Sequence, residues 1–406
     1  MKVNAERFLA RFDALSSITV QPPYTRRAFT DTYLEGRAWL KQQMREAGLN
    51  VTLDAGANLI GRREGTHSSR AIVGGSHIDT VVGGGRFDGI LGVLAALEVA
   101  QTLRDYGVTL RHALEVVDFL SEEPSDYGAS CIGSRAWAGT LSLAMLTAMN
   151  GAGETLSAAI ERMGGDASNL ERPLRSPDQL VAYVELHIEQ GRVLEAAGVD
   201  IGEVTGIVAI GRYELVFTGR ADHAGTTPMH LRSDALVAAS RFTANLSDAA
   251  RLEPAIVATV GRLEVRPNNS NVVPGVARLT FEARSLEVAR LEGFCAAALE
   301  LARDAATLEN VRLESTLVST AAPLIADPRV RAAIRHAARG VRCLELPSGA
   351  GHDAMQVGRL CPAGMIFIPC AGGRSHSQDE FSTPAQLVIG AQVLLETIVE
   401  LDRVFA

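Results

Sequence analysis

The sequence predicts an α/β fold: a large mixed-sheet domain with a smaller α+β domain inserted into it. Three observations carry this. Short apolar runs alternate with helical periodicity through the first half of the chain. Several of those runs stop at a histidine or an acidic residue in a Gly-rich string. From about Gly211 to Ala326 the pattern changes to a separate strand-and-helix unit. The expected boundaries are 1–210 with 327–406 for the large domain and 211–326 for the insert.

Phe8, Leu9, Phe12 and Leu15 fall at helical spacing, so the N-terminus reads as an amphipathic helix and not a leader peptide. Residues 31–47 predict a helix that stops at Gly48. Residues 71–76 predict a strand ending at His77, and 90–103 a helix opening after Asp88-Gly89. Further strands are expected at 113–120, ending at Glu122-Glu123, at 183–187 and at 365–369. The polar residues of interest thus follow strand C-termini, where open α/β sheets place their sites. In the insert, strands at 212–220, 256–265, 276–284 and 311–320 and helices at 233–249 and 286–307 give the order β-α-β-β-α-β. That order is ferredoxin-like.

Composition narrows the function. A net charge of −8 and the lack of any Lys/Arg block argue against nucleic acid as a partner. Cys131, Cys295, Cys343, Cys361 and Cys370 form no CxxC pair and read as reduced thiols of a cytoplasmic protein. The longest uncharged stretch, 136–153, is broken by glycines and polar residues, so no membrane span is expected.

Five residues read as the ligands of one two-metal site: His77, Asp88, Glu123, His187 and His376. Their strings are GGSHIDTVVGGGRFDG, FLSEEPSDYG, VELHIEQG and GRSHSQDEF. One carboxylate, Asp88, can bridge two cations, and Glu122 is a spare carboxylate beside them, the apparatus of metal-assisted hydrolysis. Asp79 stands two residues after His77 and is placed to orient its ring. Taken singly, Asp88 could be a helix N-cap, His77 a buried core histidine, and Glu122-Glu123 a solvated pair.

These motifs, with ADHAGTTPM, NVVPG, GAGHDA and SHSQDE, resemble the hydantoinase/carbamoylase-type amidases of the M20 metallohydrolase superfamily. N-carbamoyl-L-amino-acid hydrolases, β-ureidopropionases and allantoate amidohydrolases belong to it. The resemblance implies a zinc-peptidase-like catalytic domain and a dimerisation (lid) domain at the insert. It implies one ion on His77, Asp88 and His187, the other on Asp88, Glu123 and His376, with Glu122 as general base. Zn or Mn would fill both positions, and Co or Ni would suit the same ligands. It implies His223 as a catalytic group that polarises the scissile carbonyl, and Asn271 and Arg284 as the grip on a substrate carboxylate. Gln190 and His352 are expected at the substrate too. It further implies a cis peptide at Asp88-Gly89, a homodimer, and a small linear ureido or carbamoyl substrate. Allantoate and β-ureidopropionate are alternative substrates. A dipeptidase of the same superfamily and a non-catalytic binding protein are the rival readings. Two strings depart from the family form: EEPSDYG where EEGSRF is common, and Gln378 where proline is common.

Overall fold

The computed structural model describes residues 1–406. The chain divides into two compact units, Met1–Gly206 with Ala326–Ala406, and Ile207–Ile325.

The larger unit is built on a mixed sheet. Its strands lie in the spatial order Asn50–Leu53, Leu59–Arg63, His112–Asp118, Ser68–Ser76, Leu180–Ile188, Ala363–Ile368, Ile201–Ile207, with Cys343–Ser348 also paired to the last. The central four are parallel to one another. The flanking pairs are antiparallel. Every residue of Leu180–Ile188 and of Ala363–Ile368 is buried, as expected of central strands covered on both faces. Helix Ile90–Asp105 is buried on every side from Ile90 to Ala100 and packs on this sheet with Pro384–Val404. Pro384–Val404 is long and apolar enough to cross a bilayer, but half of its most apolar stretch is buried in the core. The 136–153 stretch forms only two short helices and turns, Ile132–Ala138 and Leu143–Leu146 among them.

The smaller unit has a four-stranded antiparallel sheet in the order Arg312–Ala321, Ala209–Thr218, Val276–Ser285, Val257–Arg266. Helices Ala235–Leu252 and Val288–Leu308 cover it. Leu215, Phe217, Leu279 and Phe281 alternate along their strands and meet Phe242 in a separate core.

Candidate metal centre

Parallel strands all end at one rim, and the polar residues gather there. His77 follows strand Ser68–Ser76, Glu122 and Glu123 follow His112–Asp118, His187 closes Leu180–Ile188, and His376 lies in the loop after Ala363–Ile368. Asp88 sits in the turn before helix Ile90–Asp105. The three imidazoles converge on Asp88. His187 Nε2 lies 3.1 Å and His77 Nε2 3.7 Å from Asp88 Oδ1. His376 Nε2 lies 3.3 Å from Asp88 Oδ2 and 3.1 Å from Glu123 Oε1. Two groups of ligand atoms result, His77–Asp88–His187 and Asp88–Glu123–His376, each within 4.8 Å of one another. Glu122 Oε2 stands 3.6 Å from His77 Nε2.

The rings are set for coordination. His77 Nδ1 faces the Asp79 carbonyl oxygen at 3.0 Å, and His187 Nδ1 that of Ile188 at 2.8 Å. A carbonyl only accepts, so each Nδ1 carries a proton, and Nε2 is the ring atom turned toward Asp88. His187 Nε2 also accepts the Gly89 N–H at 3.0 Å. The Asp79 carboxylate, expected to orient the His77 ring, stands beside the Nδ1 of that ring. It lies 3.5 Å from His77 Nδ1, while its two oxygens accept the N–H groups of Glu122 and Glu123 at 3.2 Å each. Those backbone donors have left their strand and need an acceptor in a buried place.

The cis peptide expected at Asp88-Gly89 is not found. The cis bonds are Gln21-Pro22 and Arg266-Pro267. At Asp88-Gly89 the chain turns through a positive φ of 67° at Gly89 instead. Only glycine fits: a Cβ here would lie 2.2 Å from His77 Nε2.

Burial and charge pull against each other in this cluster. Burial pushes Glu122 well above the usual carboxylate range; His77 opposes this, while Asp353, Glu123 and Asp88 add to it. Burial also raises Glu123. Asp88 feels the same burial, yet its bonds to His187 and His376 hold it well below the usual range. Burial alone would lower His77, but Asp79, Glu122 and Asp88 keep it well above an ordinary histidine.

Sequence reasoning missed two residues here. Glu380, 3% exposed, accepts the N–H groups of Phe87 and Asp88 on Oε1, at 2.7 and 3.1 Å. Ser375 Oγ lies 2.7 Å from Asp88 Oδ2 and 3.0 Å from Glu380 Oε2. They are the first and last residues of the polar string SHSQDE, where no periodicity marks a buried position. The usable signal is an acidic residue four positions after a ligand histidine in a Gly/Ser-rich loop.

Gln190 donates from Nε2 to Asp88 Oδ2 at 2.7 Å, and its Oε1 is buried without a partner. His352 is 2% exposed, packs edge-on against His187 with ring centres 4.5 Å apart, and lies 2.9 Å from Ser348 Oγ. Burial, followed by the neighbouring His187, holds it well below an ordinary histidine, so it stays neutral.

The remaining expected residues belong to the smaller unit. His223 and Asn271 are exposed neighbours: His223 pairs with Val272 in a two-residue ladder, and the Asn271 carbonyl accepts the Ala224 N–H. Arg284 pairs with Glu282, Nε to Oε1 at 2.9 Å. The structure does not bring Arg284 to Asn271. Asn271 precedes strand Val276–Ser285 and Arg284 lies at its far end, roughly 26 Å along at about 3.3 Å per residue.

The departure EEPSDYG has a local explanation. Asp126 pairs with Arg27 at 2.6 Å, and Tyr127 donates to Glu154 at 2.6 Å, which Arg162 also binds.

Comparison with known proteins agrees with this geometry. Residues 73–400 match the family described as Peptidase family M20/M25/M40. An N-carbamoyl-L-amino acid amidohydrolase of Geobacillus stearothermophilus is 40% identical over 99% of both chains. An allantoate amidohydrolase of Bacillus subtilis is 35% identical over 93% of this chain and 92% of its own. Among solved structures, a hydantoinase/carbamoylase family amidase from Burkholderia multivorans superposes with a TM-score of 0.93 at 35% identity over 98% of each chain. The chain belongs to the M20 peptidase family, among its hydantoinase/carbamoylase-type amidases.

Proposed function

We propose that this protein is a two-ion amidohydrolase that cleaves the carbamoyl C–N bond of a linear, carboxylate-bearing ureido compound, an N-carbamoyl-L-amino acid above all. The convergence of His77, His187, His376 and Glu123 on the two oxygens of Asp88, with Glu122 alongside, carries the reading. The donor set fits divalent cations: imidazole nitrogens and carboxylate oxygens suit Zn or Mn, and Co or Ni equally. His77, Asp88 and His187 would hold one ion, and Asp88, Glu123 and His376 the other. Ions at these positions supply Lewis-acid polarisation of a carbonyl and lower the pKa of water.

The chain's own residues do the rest. Glu122 takes a proton from the attacking water and returns it to the leaving nitrogen, so the C–N bond breaks without expelling an amide anion. The unpaired Gln190 Oε1 is an acceptor suited to a ureido N–H. The His352 ring behind His187 restricts that ligand's rotation. The smaller unit's strand order supports a ferredoxin-like lid. The separation of Asn271 from Arg284 supports a homodimer in which Arg284 of one copy and His223 and Asn271 of the partner subunit close on one substrate. Five free thiols support a cytoplasmic setting.

The test is a substrate panel with added Mn or Zn, reading ammonia: N-carbamoyl-L-amino acids, β-ureidopropionate, allantoate and dipeptides. Turnover of an N-carbamoyl-L-amino acid is expected to exceed the others. A preference for allantoate or β-ureidopropionate would move the substrate within the same chemistry. Cleavage of dipeptides alone would overturn the reading.

A further inference from the structure

His376 is the least secured residue around Asp88. Its side chain is 47% exposed, against 1% for His77 and His187. Its backbone is left-handed at φ 53°, a conformation that a non-glycine residue keeps only when its surroundings impose it. So open a side chain has little packing to hold it, and the constraint on its loop is polar. Ser375 Oγ reaches both Asp88 Oδ2 and Glu380 Oε2. Glu380 in turn takes the N–H groups of Phe87 and Asp88. The backbone is shaped to receive this carboxylate: Gly85 adopts φ 105°, and a Cβ there would lie 2.4 Å from Glu380 Oε1. Two residues therefore fasten the loop that bears His376 to the turn that bears Asp88. They touch neither His77 nor His187 through any hydrogen bond.

We infer that Ser375 and Glu380 are positioning residues that hold His376 against Asp88 and thereby set the affinity of the outer cation position, Asp88–Glu123–His376, while leaving the inner one, His77–Asp88–His187, unchanged. The inference rests on the two-ion reading above. It makes the two positions unequal: the inner set is built from buried strand ends, the outer one depends on a fastened loop. It also predicts which replacement is tolerated. A glutamine at 380 accepts both N–H groups on its Oε1 and donates from Nε2 to Ser375 Oγ, which leaves the hydroxyl proton for Asp88. Alanine at 375 removes the bond to Asp88 Oδ2, and alanine at 380 removes the acceptor of the Phe87 and Asp88 N–H groups.

Titration of the ion-free, full-length protein with Mn²⁺ alone, followed by calorimetry and by the paramagnetic resonance signal of free Mn²⁺, tests this. Wild type is expected to take two equivalents per chain. Ser375→Ala and Glu380→Ala are expected to lose about tenfold or more in affinity for one equivalent and to keep the other, whereas Glu380→Gln stays within about threefold of wild type. Ser375→Ala removes only a hydroxyl and serves if Glu380→Ala does not fold, with thermal unfolding of the ion-free protein as the check. Wild-type binding of both equivalents by Ser375→Ala, an equal loss on both, or a Glu380→Gln protein as weak as Glu380→Ala would each overturn the inference. His376→Ala separates this from the underlying reading. If it still binds two equivalents at wild-type affinity, the ligand role of His376 in the underlying reading fails too; if it binds one while Ser375→Ala binds two normally, only the positioning role fails.

Discussion

Glu122 stands at the centre of the residue-scale argument. One oxygen faces His77 Nε2, and the other accepts the Cys131 thiol at 3.3 Å, so the side chain is aimed from two sides. Replacing it by glutamine keeps the shape and removes the base. Glu122→Gln is expected to lower kcat/KM by about 10²–10⁴ while bound metal stays at the wild-type level, measured by turnover and elemental analysis on the same sample. Equal turnover would remove Glu122 from the proton path. Gly89→Ala tests the neighbouring turn. A methyl group at φ 67° against the His77 ring is expected to destabilise the fold by at least about 1–3 kcal/mol, read as a lower denaturation midpoint. At this scale the sequence exposes residues whose type is unusual for their surroundings, such as histidines at the ends of apolar runs. It hides Ser375 and Glu380, whose types are ordinary for a surface loop although both face inward. It also leaves Arg284 ambiguous, since Glu282 lies two residues away on the same strand face and does bind it.

Among elements, the parallel strands decide where chemistry can occur, because each delivers its C-terminal residue to the same rim. Their existence is legible from short apolar runs bounded by polar residues. Their ends are less so: Leu180 and Ala182 pair with Ala71 and Ile72, so residues 180–182 extend the strand expected at 183–187. The loop at 124–128 illustrates a different dependence, on charge. Its Tyr127 is tied to Glu154, whose carboxyl is brought down to about 2 by Arg162 first and Tyr127 second. A folded-state value below the ordinary 4.5 means that this carboxylate adds stability above pH 4.5 and loses it as the pH falls toward 2. The stability gap between wild type and Glu154→Gln is therefore expected to be constant at neutral pH and to close between about pH 4.5 and 2, followed by denaturant unfolding. A gap that widens on acidification would contradict the pairing.

For the whole molecule, Asn271 and Arg284 of one copy lie toward opposite ends of strand Val276–Ser285. If Arg284 of one copy and His223 of the partner subunit serve one substrate, Arg284→Ala and His223→Ala proteins are each nearly inactive, yet mixing and re-equilibrating them restores about a quarter of wild-type activity, since half the dimers are mixed and half their sites are intact. No recovery on mixing, with exchange verified by mass, would show that both residues act within one copy or not at all. The insertion of the smaller unit between Gly206 and Ala326 has an outcome of its own. His77, Asp88, Glu123 and His187 are translated before it and His376 after it. A nascent chain thus carries every donor of the inner cation position long before it carries the last donor of the outer one. On the two-ion reading, dinuclear chemistry therefore waits for the C-terminal segment.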